Sequence, residues 1–416
     1  MSPALLAVLA LLLAIGLSMT TRVNVGLLAI ALSWTIGVYS AHMTADAVIA
    51  GFPAGLFITL TGVTFLFAVA KSNGTLDLLA QHAARLVRGN AGLLPIVFFA
   101  LAGVLSSVGP GAVASVALVA PLAMPIGTAA GVPALLAAIM IGTGANAGNL
   151  SPISSVGAMA DGLLAKIGLP GHEWKVFAAN FLAHVLVAGA AYVLFGGMRL
   201  LRAGRAEQSE VAVPRFDRRH WMTLAVTAVW MLGAVGLKTN IGLAAFAAGT
   251  LLILLGAADD KDVIPRIPLD IILMVTGVTM LIGVLEKTGG MDLFTGMIGR
   301  VAGPATINGV IAFVTGIIST YSSTSGVVLP AFLPMVPGLV REAGGGDPLA
   351  VAISINVGSA LVDVSPLSTL GALCVATVAD RAASRDLFRR LLIWGFSMAI
   401  VGAILCALFA GPFARL

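Results

Sequence analysis

Apolar residues run along this chain in long blocks, without the alternation or three-to-four spacing of half-buried elements. Blocks at 3–20, 23–42, 52–71, 174–198, 220–237, 241–257, 268–287 and 386–412 each have the length of one helical crossing. A helix rises about 1.5 Å per residue, so about 20 apolar residues span the hydrocarbon of a bilayer. Two further blocks, 132–167 and 347–379, are too long for one straight crossing and carry polar, Gly- and Pro-containing interruptions. They predict broken helices. Regions 92–127 and 304–340 each hold two shorter apolar arms around a Ser/Gly-rich middle. They predict re-entrant helical hairpins whose tips end at membrane depth, which is tolerated only inside protein or beside water. Arms that cross the membrane are the alternative. The block at 3–20 has no basic residue before it, so it reads as a retained helix and not as a secretory signal.

Composition narrows the class. The 416 residues are 59% apolar and 10% charged, whereas soluble domains carry about 25% charged residues. A soluble protein, a disordered chain and a DNA-binding module are excluded; an all-α polytopic membrane protein remains. With hairpins returning to the side they enter from, one side receives 16 of the 23 Lys and Arg residues, six of them in the 200–219 linker and the Arg199 beside it. The positive-inside rule makes that side cytoplasmic and puts both termini outside, in a cytoplasmic (inner) membrane. The two cysteines, Cys374 and Cys406, lie within apolar blocks and are expected to be buried free thiols.

The chain repeats itself. Thr61–Leu79 and Thr276–Phe294 agree at nine of 19 aligned positions, including Gly62 with Gly277 and Asp77 with Asp292. Gly103–Ser107 then matches Gly316–Thr320, Pro121 matches Pro334, and Asn149–Ala158 matches Asp363–Ala372. Partner positions stay about 214 residues apart. Each half is expected to hold five crossings and one hairpin, an odd number, so the second half enters from the opposite face. Inverted repeats with interrupted helices in matching positions are the signature of secondary transporters, whose substrate sites lie near the midplane.

The interruptions carry the candidate chemistry. The first break surrounds Pro152, and the second repeats its plan around Pro366 with Thr369 beyond it. Proline cannot continue the hydrogen-bond ladder and disfavours helix at the residue before it. Freed helix N-termini suit an anion; freed carbonyls suit a cation. The anion is expected at the break residues Ser151, Pro152, Ser154, Ser365, Pro366 and Ser368, and at the tip residues Gly109, Pro110, Gly111, Ser323, Thr324 and Ser325. The cation is expected at Ser106, Asn146, Asn149, Ser322, Asn356 and Asp363, with Na+ near Asn149 and Asp363 or a proton on Asp363. An intramembrane carboxylate is costly and marks function by default, and Asp363 stands where the first half has the neutral Asn149. No basic residue accompanies a break or tip. His184 reads as a hydrogen-bonded core residue. Asp77, Arg85 and Arg88, and likewise Asp292 and Arg300, sit on short amphipathic stretches that read as helices along the interface.

The paired hairpins and the repeated Ser151-Pro152 and Ser365-Pro366 breaks resemble the ion-transporter superfamily that includes the divalent anion–sodium symporters. Within it the chain looks most like the MatC-type dicarboxylate (malonate) carriers, over nearly its whole length. The symporters carry Ser-Asn-Thr at each tip; here the tips read Val108-Gly-Pro-Gly-Ala112 and Ser322-Ser-Thr-Ser-Gly326, without Asn. The resemblance implies a homodimer and an elevator motion. It also divides the chain into scaffold parts at 1–90 and 220–303, transport parts at 91–199 and 304–416, and the cytoplasmic linker 200–219. Stretches 74–88 and 290–302 become connecting arms.

The leading expectation is a secondary active transporter of small dicarboxylates such as malonate or succinate, coupled to Na+ or H+, with no organic cofactor and no nucleic acid partner. A cation/proton antiporter, or a carrier of another small anion, is the alternative within the class. An intramembrane enzyme would need Ser325 and His184 as a nucleophile–base pair, but HExxH, paired intramembrane aspartates and a second histidine near a break are missing. A passive channel suits closed hairpins poorly.

Overall fold

The computed structural model describes residues 2–416 apart from 21–22, 86–89, 110, 204–213, 237–238, 268, 322 and 379. Among the described residues regular structure is helical throughout. Before the linker come α1 (Pro3–Thr20), α2 (Val25–Trp34, prolonged by a wider π turn, Thr35–Ser40), α3 (Ala54–Ser72), α4 (Thr75–Arg85), α5 (Leu94–Val108), α6 (Ala112–Ala129), α7 (Ala134–Gly148), α8 (Ser155–Lys166) and α9 (Glu173–Leu194). After it come α10 (Arg218–Gly236), α11 (Ile241–Leu254), α12 (Leu269–Lys287), α13 (Gly290–Gly299), α14 (Ile307–Tyr321), α15 (Thr324–Glu342), α16 (Pro348–Val362), α17 (Thr369–Ala376) and α18 (Arg381–Leu405, prolonged through Arg415). The order of long, short and broken helices is the same on both sides of the linker.

Local chemistry sets the helix starts. Asn24 caps α2 by accepting from the Gly26 amide at 2.8 Å, and Asn240 caps α11 by accepting from Leu243 at 2.9 Å. Asp347 and Asp380 cap α16 and α18 in the same way. Each cap satisfies an amide that the helix leaves unpaired. The Asn24 side-chain amide also donates to the Asp270 carbonyl at 2.7 Å, which joins the starts of α2 and α12.

The two halves interlock. α3 packs on α11 and α2 packs on α12. Both crossings rest on glycine: a Cβ on Gly62 would stand 2.2 Å from the Gly242 carbonyl oxygen, and one on Gly277 would stand 2.2 Å from that of Gly26. Small residues let backbones approach in this way where lipid supplies no hydrophobic drive to association. A second set of crossings pairs α5 with α7 and α14 with α16, with α9 behind α7 and α18 behind α16. The outward faces stay apolar, as with Leu186 and Leu194 on α9, and Ile400, Ile404 and Phe409 on the α18 run. Such faces fit hydrocarbon and not water.

The hairpin arms are longer than the sequence blocks suggest. Ala91–Val108, Ala112–Ala129 and Thr324–Glu342 hold 18, 18 and 19 residues, and each is long and apolar enough to cross a membrane. Ser106 and Ser107 continue the first arm, which runs to Val108, and the second arm starts at Ala112. The two amphipathic stretches are helical as α4 and α13, and α12 turns into α13 at 89°. Asp77 pairs with Lys71 at 2.7 Å, and Asp292 pairs with Arg341. Arg88 lies outside the described residues. Cys374 and Cys406 are free and buried.

Placing a side chain in a glycine crossing has a defined cost. Gly62→Val is expected to lower unfolding stability by about 1–3 kcal/mol, the usual cost of overpacking. The midpoint of thermal unfolding in detergent measures this, and an unchanged midpoint would remove Gly62 from the crossing.

Candidate functional site

The first break spans residues 149–154, between α7 and α8. Asn149 ends α7, and Ser154 begins α8 by accepting from the Gly157 amide at 2.9 Å. The Ser154 hydroxyl donates to the carbonyls of Asn149 (2.6 Å) and Ser151 (2.8 Å). The second break, residues 363–368, has the same internal bond: the Ser368 hydroxyl donates to the carbonyls of Asp363 and of Ser365, the latter at 2.9 Å. Each serine thus holds the freed carbonyls of its own break. Its proton is committed there, which leaves it to a ligand only as an acceptor. Ser365 is buried behind its break, where a Cβ on Gly395 of α18 would meet it at 2.8 Å.

Each tip docks on the helix break of its own half. At the first, the Ala112 amide donates to Asn149 Oδ1 at 2.9 Å and the Ser155 amide donates to the Gly109 carbonyl at 3.2 Å. Gly111 adopts φ of +90°, a left-handed geometry suited to glycine, and a Cβ there would stand 3.0 Å from Asn149 Oδ1. Pro110 and Ser322, both expected site residues, lie outside the described residues. At the second tip Ser323 starts the next turn by accepting from the Gly326 amide at 3.0 Å. The Thr324 hydroxyl bonds the Ser319 hydroxyl at 2.6 Å and the Ser359 carbonyl of α16 at 3.1 Å. Asp363 lies beside the hydroxyls of Thr324 and Ser368. Asn149 and Asp363 therefore occupy matching positions, one accepting a tip amide and the other facing a tip hydroxyl.

The breaks also meet each other. The Asn146 side chain donates to the Ala360 carbonyl of α16 at 2.9 Å, and a Cβ on Gly142 would strike Val364 at 2.8 Å. Asn180 on α9 donates to the Asn146 carbonyl at 2.7 Å, and His184 Nδ1 bonds the Asn180 carbonyl at 2.8 Å. Asn180 is absent from the sequence expectations, although its polar side chain inside an apolar block was a readable signal. Asn356 turns back to its own helix, donating to the Ala352 carbonyl at 2.9 Å. Several buried oxygens have no hydrogen-bond partner: Ser106 Oγ, Asn146 Oδ1, Asn356 Oδ1 and Asp363 Oδ1. Among the described residues no Lys, Arg or His forms an ion pair with Asp363, which is 5% exposed. Unpaired acceptors in a buried setting are costly. A monovalent cation, a proton or water relieves that cost, and no cluster of three His, Cys, Asp or Glu for a transition metal exists among the described residues.

A cavity of about 420 Å³ opens onto this region. Ala112, Ser155 and Ser325, from the first tip, the first break and the second tip, border it. Its walls are mostly apolar and include Phe67 of α3 and Met159 of α8. Lys71, Arg266 and Asp270 also line it and are exposed. Asp363, Ser365, Ser368 and Asn356 do not line it, so the structure brings the second break beside the first without opening it to this cavity.

Residues 1–149 match the family model described as the dicarboxylate carrier protein MatC N-terminus. No curated protein matches the chain. Among solved structures, the YdaH transporter of Alcanivorax borkumensis, whose crystal structure is described as revealing an unusual topology, is similar in fold. The TM-score is 0.59 at 18% identity, over 99% of this chain and 98% of that one. These are likenesses to transporters and not to enzymes, and with the apolar helices they make the chain an integral membrane protein.

The tip-to-break bond gives a direct test. Asn149→Ala removes the acceptor of a buried amide and is expected to cost about 1–3 kcal/mol. Asn149→Asp restores an acceptor and should recover most of that loss. Equal unfolding midpoints for wild type and Asn149→Ala would show that the bond contributes nothing.

Proposed function

We propose that this protein is a secondary active carrier of small dicarboxylates, of the malonate or succinate kind, driven by Na+ or H+. The observation that carries the reading is the docking of each hairpin tip on its own half's helix break, with Asp363 buried and unpaired at one of the two joints. The match of residues 1–149 to the MatC N-terminus supports the substrate class. Helix N-termini at Gly109–Gly111, Ser151–Ser154 and Ser323–Ser325, with the hydroxyls of Ser151 and Ser325, receive the carboxylates, while Ser154 shapes the first break through its own bonds. Asn146, Asn149, Asn356, Ser106 and Asp363 hold the coupling ion, and Pro110, Ser322 and the second-break residues Ser365, Pro366 and Ser368 complete the two shells.

The two halves are inverted repeats, each with five crossings and a re-entrant hairpin. Residues 91–199 and 304–416 move as the transport part against a scaffold of 1–90 and 220–303, in a homodimer of the cytoplasmic membrane with both termini outside. The interlocked α2–α12 and α3–α11 crossings support a scaffold that holds together without the hairpins. The tip-to-break bonds support a transport part that moves as one piece.

Reconstituted protein is expected to take up radiolabelled malonate or succinate when a Na+ or H+ gradient is imposed. In Asp363→Asn the gradient-driven rate should fall at least about tenfold, since charge-assisted contacts contribute about 1.5–3 kcal/mol and a factor of ten requires 1.4. Uptake indifferent to both gradients would contradict the coupling. Cation flux without uptake of either acid would favour antiport.

A further inference from the structure

The site described above contains no buried cation, yet a dicarboxylate arrives with two negative charges. The cavity shows where compensating charge is met first. Along α3 the residues Leu60, Thr64, Phe67 and Lys71 line it at helical spacing. Phe67 is the residue a Cβ on Gly109 would touch, at 2.8 Å, so the first tip sits at its level. Lys71 lies one helical turn further on, about 6 Å along the axis. The end near the tip is buried, with Ala112 4% and Ser155 2% exposed, whereas the Lys71 side chain is 42% exposed. Arg266 reaches the same cavity from the other half of the chain.

We propose that Lys71 and Arg266 form an anion-collecting mouth on one face of the membrane, leading to the tip of the first hairpin. This rests on the carrier reading given above. Three acidic groups lie nearby and shape the mouth. Asp77 pairs with Lys71 at 2.7 Å, but both partners are well exposed, and exposed pairs contribute only about 0–1 kcal/mol. An incoming carboxylate therefore exchanges for Asp77 at little cost. Arg266 makes no ion pair among the described residues; its guanidinium bonds the Asp262 main-chain carbonyl instead. Asp270, in the first turn of α12, is the one carboxylate lining the cavity, and the positive helix end beside it offsets part of its charge. Once Asp77 is displaced from Lys71, the mouth offers two cations against Asp270, the one carboxylate that lines the cavity.

Lys71 and Arg266 are positioning residues, and their signature is a KM effect that depends on salt and on side. In sealed proteoliposomes of known orientation, Lys71→Gln and Arg266→Gln are each expected to raise KM for succinate by about three- to tenfold at low ionic strength. The effect appears only when succinate is supplied on the Lys71 face, with the maximal rate kept. It shrinks as salt rises, because the screening length is about 10 Å at 0.1 M and about 3 Å at 1 M. Lys71→Cys, placed in a Cys374→Ser, Cys406→Ser background, should lose affinity in the same way and regain it when an aminoethyl thiosulfonate restores the positive charge. A KM unchanged by both substitutions, or raised equally from both faces, would overturn the proposal. If the wild type moves no dicarboxylate, the carrier reading fails and the mouth is judged by labelling alone. Thr64→Cys in the same background should react with a membrane-impermeant thiol reagent from the Lys71 face only, and reaction from the opposite face or from neither would overturn the mouth.

Discussion

A helix that stops in the middle of a membrane protein leaves amides and carbonyls that surrounding hydrocarbon cannot satisfy. Here the first hairpin tip supplies part of the answer: the Ala112 amide goes to Asn149, and the Gly109 carbonyl receives the Ser155 amide. The breaks supply the rest through Ser154 and Ser368, whose hydroxyls each hold two freed carbonyls. Remove the tip from the break and both lose partners at once. The glycines at the first tip, the close packing of α5 on α7 and the burial of the whole region follow from that mutual requirement.

The same joint occurs twice with different chemistry, and that difference gives the proposed function its direction. Asn149 is neutral, and its Oδ1 accepts the Ala112 amide of the tip. Asp363 is charged when ionised, faces Thr324 and Ser368, and keeps one buried oxygen without a partner. A repeat with two equal joints would have no built-in place for a coupling ion on one side only. In the proposed carrier, replacing a single amide by a carboxylate would provide that place, at the cost of burying a charge that needs a cation or a proton to be tolerated.

Much of the helical order was legible because lipid-facing segments need continuous apolar sequence. Helix starts at Pro3, Ala54 and Glu173 follow the blocks within a residue or two. Pro152 and Pro366 marked the breaks, since proline and its preceding residue resist helix. The arm lengths were less legible: Ser106 and Ser107 read as part of a polar turn but remain helical, and Pro121 and Pro125 lie inside α6 without ending it. Which candidates face a common cavity was not legible at all. Ser155 and Ser325 line it while Ser365 packs behind its break, and nothing in the repeated Ser-Pro pattern separates them. Lys71 and Arg266 carried only a topological signal in the sequence; their shared cavity arises from a contact between halves, which no local pattern reports.

Occupancy of the tip-to-break joint by the transported anion is the centre of the account, and ligand protection tests it most directly. Cysteine is introduced at Ala112 in the Cys374→Ser, Cys406→Ser background, and its rate of thiol labelling is followed as succinate or malonate is added. The account predicts that labelling slows with a concentration dependence matching that of uptake, while acetate at equal ionic strength has little effect. Labelling that proceeds at one rate with and without saturating dicarboxylate, in protein that still transports it, would contradict the account and move the binding site away from the first hairpin tip.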